Sequence, residues 1–141
     1  MNQTGCMATI RDVIFDSRHP ASIARFWAAA IDGYRVAPYD DAELARLRSI
    51  GVNDPEDDPV VLVEPVTGRG PRLFFQRVPE ARTVKNRVHL DLDATDADAE
   101  ADALSGLGAR VLARYEGWIT LADPEGNEFC IQRTAAAGTT R

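Results

Sequence analysis

The sequence predicts an α+β fold of two tandem βαβββ modules, with a short helix inserted in the first. Three observations carry this. Apolar, β-branched segments with strand period surround two helical patterns, in the order strand, helix, three strands in each half. Both helices run into similar segments, Asp32-Gly33-Tyr34-Arg35-Val36 and Leu107-Gly108-Ala109-Arg110-Val111. The chain has 141 residues, and a chain of roughly 150 residues buries about 68–70% of its unfolded surface, enough for one core. The two halves are therefore expected to pack as a single domain over 8–133, with modules 8–79 and 85–133 and flexible ends at 1–7 and 134–141.

In the first half, Ala8 to Asp16 is β-branched and apolar and reads as a strand. Pro20 suits the first turn of a helix, where its missing N–H costs nothing. Ile23, Phe26, Trp27, Ala30 and Ile31 then form one apolar stripe, which Gly33 ends. A short strand around Tyr34 to Tyr39 follows, then the inserted helix from Asp41 to Ile50 with Leu44, Leu47 and Ile50 on one side. Asn53 to Pro59 is acidic and turn-rich, a surface loop. Strands Val60 to Val66 and Arg72 to Val78 are joined through Thr67-Gly68-Arg69-Gly70-Pro71, whose composition suits a hairpin.

The second half opens on Asn86 to Asp93, which alternates strictly. Val88, Leu90 and Leu92 share one face and His89, Asp91 and Asp93 the other. Thr95-Asp96-Ala97-Asp98 has the form of a helix start, and the helix runs to Gly106 or Gly108. Arg110 to Tyr115, Trp118 to Ala122 and Glu128 to Gln132 complete the strands, with Asp123, Pro124 and Gly126 placed as a type I turn requires.

Composition narrows the function. Hydrophobic residues are 45% and charged residues 27%, a globular balance that excludes disordered and fibrous chains. The net charge of −6 and pI near 4.9 argue against nucleic acid as a partner. No apolar run approaches the roughly 20 residues of a membrane span, and the first residues lack signal-peptide character, so the expectation is a cytoplasmic protein that does not engage membranes. Cys6 and Cys130 are too few for a disulfide framework, and 15 arginines against one lysine, Lys85, suggest a GC-rich bacterial genome. No glycine-rich phosphate loop, nucleophile elbow, H-E-x-x-H or C-x-x-C pair occurs.

The βαβββ pair, Ala24-Arg25-Phe26-Trp27, Val88-His89-Leu90-Asp91-Leu92 and above all Ala122-Asp123-Pro124-Glu125-Gly126-Asn127 resemble the vicinal oxygen chelate superfamily of glyoxalase I, extradiol dioxygenases and bleomycin-resistance proteins. Leu73 to Glu80 followed by Lys85 to His89 is most similar to its small bacterial glyoxalase-like domain proteins. The resemblance implies one cupped mixed sheet with helices outside, and a cup often completed in a homodimer. It also implies metal ligands, usually His and Glu, on the first and last strands of each module. His89 matches the family histidine. The usual glutamate position, three residues after the asparagine of the turn, is Cys130, and Glu128 shares its face. In the first module strand one offers Arg11 or Asp12, and strand four presents no His or Glu on either face.

With one matched ligand, the expected function is small-molecule binding, the cup holding an organic metabolite or antibiotic without the full family metal site or any cofactor. The alternative is a lyase, isomerase or dioxygenase of the same superfamily using Zn, Ni, Mn or Fe, with His89 as ligand beside Cys130 or Glu128. The expected ligand-binding residues are His89, Trp118, Glu128 and Cys130 on one wall and Gln76 facing them. Trp118 supplies apolar area, His89 and Gln76 hydrogen bonds, and Glu128 a negative potential that disfavours anions. Asp91 and its neighbouring acids are expected to be mostly solvated surface.

Overall fold

A computed structural model describes residues 8–133, so Cys6 and the two expected flexible ends lie outside the described residues. The elements are β1 (Asp12–Ser17), α1 (Pro20–Ala30), β2 (Tyr34–Val36), α2 (Asp41–Ser49), β3 (Val60–Pro65), β4 (Arg72–Arg77), β5 (Leu90–Ala94), α3 (Ala97–Gly106), β6 (Arg110–Arg114), β7 (Trp118–Ala122) and β8 (Glu128–Arg133). Each half forms a four-stranded mixed sheet, in the orders β1-β4-β3-β2 and β5-β8-β7-β6. Within each, the first and last strands run parallel and the other pairs antiparallel. The curved surface expected of one sheet is thus built from two sheets that share no backbone ladder.

Alternation along the strands divides each sheet into a packed and an open face. Val61, Val63, Leu73 and Phe75 of the first half join Ile119, Leu121, Phe129 and Ile131 of the second in one core cluster. Helix α1 brings the halves together: Phe26 and Trp27 both lie edge-on to Phe129, at 6.1 and 5.0 Å between ring centroids. The inserted helix α2 is capped by Asp40, whose carboxylate accepts from the Glu43 N–H, and buries only Leu47. The acidic loop contains a single 3₁₀ turn, Pro55–Asp57. The echo between the halves has a backbone cause, since Gly33 and Gly108 hold φ of 76° and 110°, values that favour glycine.

Three boundaries differ by more than one residue from the sequence reading, the first being β2, which ends at Val36 and not near Tyr39. Strand β1 starts at Asp12, not Ala8, because pairing with β4 begins at Asp12 opposite Arg72. Strand β5 starts at Leu90, not Asn86, because its partner β8 begins only at Glu128, and the segment before it is the Asp123–Asn127 turn, which offers no ladder. His89 therefore precedes the strand, and Val88 is exposed instead of packed beside Leu90. The cap of α3 is Asp96, bonded to the Ala99 N–H, and not Thr95.

Candidate functional site

The last turn joins the halves. Asp123 is 3% exposed. Its carboxylate accepts from the Trp27 indole N–H at 3.0 Å, from the Asn127 side-chain amide at 2.9 Å, and from the backbone N–H groups of Glu125 and Asn127, both at 2.9 Å. Burial pushes its pKa up, opposed by these four donors. Glu125 accepts from the Ser17 hydroxyl at 2.5 Å and the Arg18 N–H at 2.7 Å, at the entry to α1. Asn127 accepts from Asn86 at 2.9 Å, and Asn86 from Arg82 at 2.6 Å, which fixes the connector between the modules.

This arrangement leaves two adjoining hollows. A cleft of about 840 Å³ lies between the halves, with Ile14, Asp16 and Gln76 on one side and His89, Glu128 and the connector residues Val84, Lys85 and Val88 on the other. A concavity of about 370 Å³ lies on the open face of the second sheet, lined by Lys85, His89, Asp91, Trp118, Thr120, Glu128, Cys130 and Gln132. Four of the five expected site residues, His89, Trp118, Glu128 and Cys130, thus meet at one hollow. Gln76 does not reach it. It faces the larger cleft and donates to Asp16 at 2.8 Å, because β4 belongs to the other sheet. Trp118 is 37% exposed and stacks on Tyr115 at 4.6 Å.

Glu128 keeps its negative charge, but neighbouring cations compensate the potential expected of it. Its carboxylate pairs with Lys85 and lies 3.6 Å from Arg82, and these cations, Lys85 above all, hold its carboxyl below the usual glutamate range. Asp91 is exposed, as expected of a solvated acid, and it also lines the smaller hollow. It stands opposite Cys130 in the β5–β8 ladder and 3.4 Å from His89 Nε2, and one donor atom from each of His89, Asp91 and Cys130 falls within 4.8 Å of the others. Thr120 Oγ1 lies 3.5 Å from the Cys130 sulfur. Asp91 was legible as the residue two places beyond His89 on the same strand face.

The first half repeats the geometry with different chemistry. Cys130 is the third residue of β8 and faces Asp91; Phe74 is the third of β4 and faces Ile14. Counting back two residues along the first strand, the counterpart of His89 is Asp12. Of Arg11 and Asp12, the register therefore selects Asp12. Asp12 is held by Arg72, at 2.8 Å to Nε and 3.2 Å to a terminal nitrogen, and the guanidinium lies 5.1 Å above the Phe74 ring. A carboxylate bound to arginine beside a phenylalanine offers no metal half-site, so a ligand set drawn from both modules does not fit these residues. The donors of the second half alone fit a small borderline-soft cation.

A family model of the glyoxalase-like domain matches residues 12–132, nearly the whole described chain. The chain belongs to the glyoxalase-like domain family. This glyoxalase-like domain is thereby a member of the vicinal oxygen chelate superfamily. It is similar in fold to a glyoxalase/bleomycin resistance protein/dioxygenase family enzyme from Burkholderia phytofirmans PsJN, at 18% identity and TM-score 0.63, over 91% of this chain and 100% of that one. The fosfomycin resistance protein FosX from Mesorhizobium loti aligns at 14% identity and TM-score 0.64, covering 92% of this chain and 94% of its own. The trypanothione-dependent glyoxalase I of Leishmania major aligns at 12% and 0.58, covering 89% and 86%. No curated protein sequence matches the chain. Among the described residues of this glyoxalase-like domain, no helix is long and apolar enough to cross a membrane.

Proposed function

We propose that residues 8–133 act as one domain, modules 8–79 and 85–133, that binds a small, partly aromatic organic molecule in the cup without the full family metal site. One observation carries this reading. His89, Trp118, Glu128 and Cys130 converge on a hollow that opens beside the inter-module cleft, while the matching metal positions of the first half hold Asp12–Arg72 and Phe74. An aromatic wall with a few convergent polar groups is the usual make-up of a small-molecule site. The reading is tested by native mass spectrometry of the protein against a panel of aromatic metabolites and antibiotics, with His89→Ala alongside. A ligand held by the parent protein and released by the variant supports it; a panel with no binder overturns it.

A second reading, a divalent-metal lyase, isomerase or dioxygenase, is favoured by the approach of His89, Asp91 and Cys130. These three side chains would hold the ion, which would supply Lewis acidity to a bound oxygen. Stoichiometric Zn, Ni, Mn or Fe after purification without an affinity tag, lost in His89→Ala, would put this reading first.

We further propose a homodimer. Edge strands β1, β2, β5 and β6 each leave one side unpaired by the sheets described, and Ile14 and Val60 are exposed apolar residues of the first half. Sedimentation equilibrium at micromolar concentration should give twice the chain mass, and a monomer mass would overturn it. The cytoplasm is the proposed compartment, where the free thiol of Cys130 persists.

A further inference from the structure

We propose that the Lys85–Glu128 ion pair is a removable partition across the cup, and that it decides the size of molecule the site accepts. The inference rests on the small-molecule reading above and deepens it. The cleft of about 840 Å³ and the concavity of about 370 Å³ are adjoining spaces with three lining residues in common: Lys85, His89 and Glu128. The first two come from the connector and its end, the third from the first position of β8. Lys85 and Glu128, whose ammonium and carboxylate are bonded, both line both chambers.

The two partners are unequal in freedom. Glu128 is 22% exposed and fixed by its strand, whereas Lys85 is 70% exposed and sits on a segment outside any helix or strand. The connector backbone is held next door by Asn86 on Asn127. Opening therefore requires that the lysine swing outward on its flexible four-carbon stem, while Arg82, which lines the cleft and not the concavity, stays 3.6 Å from Glu128. An ion pair this exposed is cheap to break and weakened by salt.

What lies on either side indicates the ligand. Trp118 walls the concavity, and Val84 and Val88, 74% and 73% exposed, line the cleft. An uncharged, elongated aromatic molecule would cover apolar surface on both sides only after displacing the pair. Its apparent affinity is then reduced by the fraction of molecules in which the pair is closed.

The experiment titrates Nile red, an uncharged aromatic dye, into the full-length parent, Lys85→Ala and Glu128→Gln, at about 0.01 M and about 0.5 M sodium chloride. Thermal unfolding verifies that each variant is folded. At low salt both variants should bind the dye about threefold more tightly than the parent, the scale of a part-exposed ion pair. High salt should bring the parent up to the variants, whose own affinities change less. Equal affinity in all three proteins at low salt overturns the partition and leaves the cup reading standing. Failure of the dye to bind any of them overturns the partition, and the cup reading falls with it where the panel above also yields no binder.

Discussion

The indole of Trp27 donates to the carboxylate of Asp123 across 96 residues of sequence, joining the first helix to the last turn inside the core. With Asn127 and two backbone N–H groups also bound to it, this carboxylate holds the turn in shape and docks it on the first half at once.

Asp123→Ala leaves the Trp27 N–H and the Asn127 amide buried without an acceptor. Urea unfolding should show a loss of about 1–3 kcal/mol. Trp27→Phe keeps most of the packing and removes one donor, so it should cost less than Asp123→Ala. The reverse order would mean that the indole's bulk outweighs its hydrogen bond.

His89 lies just outside β5, with its Nε2 3.4 Å from Asp91. Substitution by Ala should weaken binding of any ligand found in the cup by about 1–3 kcal/mol, the cost of leaving a buried polar partner unsatisfied, and leave the melting temperature near the parent value. Calorimetric titration and a thermal scan measure the two. Unchanged affinity with a lowered melting temperature would make His89 structural.

Arg72 holds the Asp12 carboxyl below its ordinary value of 3.8. A carboxyl with a depressed folded-state pKa stabilises the protein above its unfolded pKa, and that contribution fades as pH falls through the folded value. Asp12→Asn should therefore lose stability near neutrality and flatten the decline of the urea midpoint on acidification below about pH 4. Equal acid limbs in parent and variant would show that the pair contributes nothing.

On the small-molecule reading, dialysis against EDTA should leave both ligand affinity and melting temperature unchanged. A fall in either, restored by zinc and absent in Cys130→Ala, would move the metal reading ahead.

The division into halves was legible because strand and helix periods repeat in the same order, and alternation on strands matched through the family resemblance gave Cys130 and Trp118 one wall, the wall of the smaller hollow. The start of β5 was not legible. It depends on where β8 begins, and therefore on a turn that forms about 35 residues further along the chain. The partners of the site charges were hidden for the same reason. Glu128 meets Lys85 at a separation of 43 residues and Asp12 meets Arg72 at 60, and no local pattern pairs them. Gln76, expected to face the others from the first module, lines the larger cleft with His89 and Glu128 but not the smaller hollow that holds Trp118 and Cys130.

Because the two sheets share no strand, the seam between them is held by one apolar core drawn from both halves and by side-chain hydrogen bonds. Trp27–Asp123 ties the body of α1 to the last turn, and Ser17–Glu125 ties the end of β1 to the same turn. The walls of the cleft are therefore held in place by residues that do not all line it, and a substitution in the last turn reaches both halves at once.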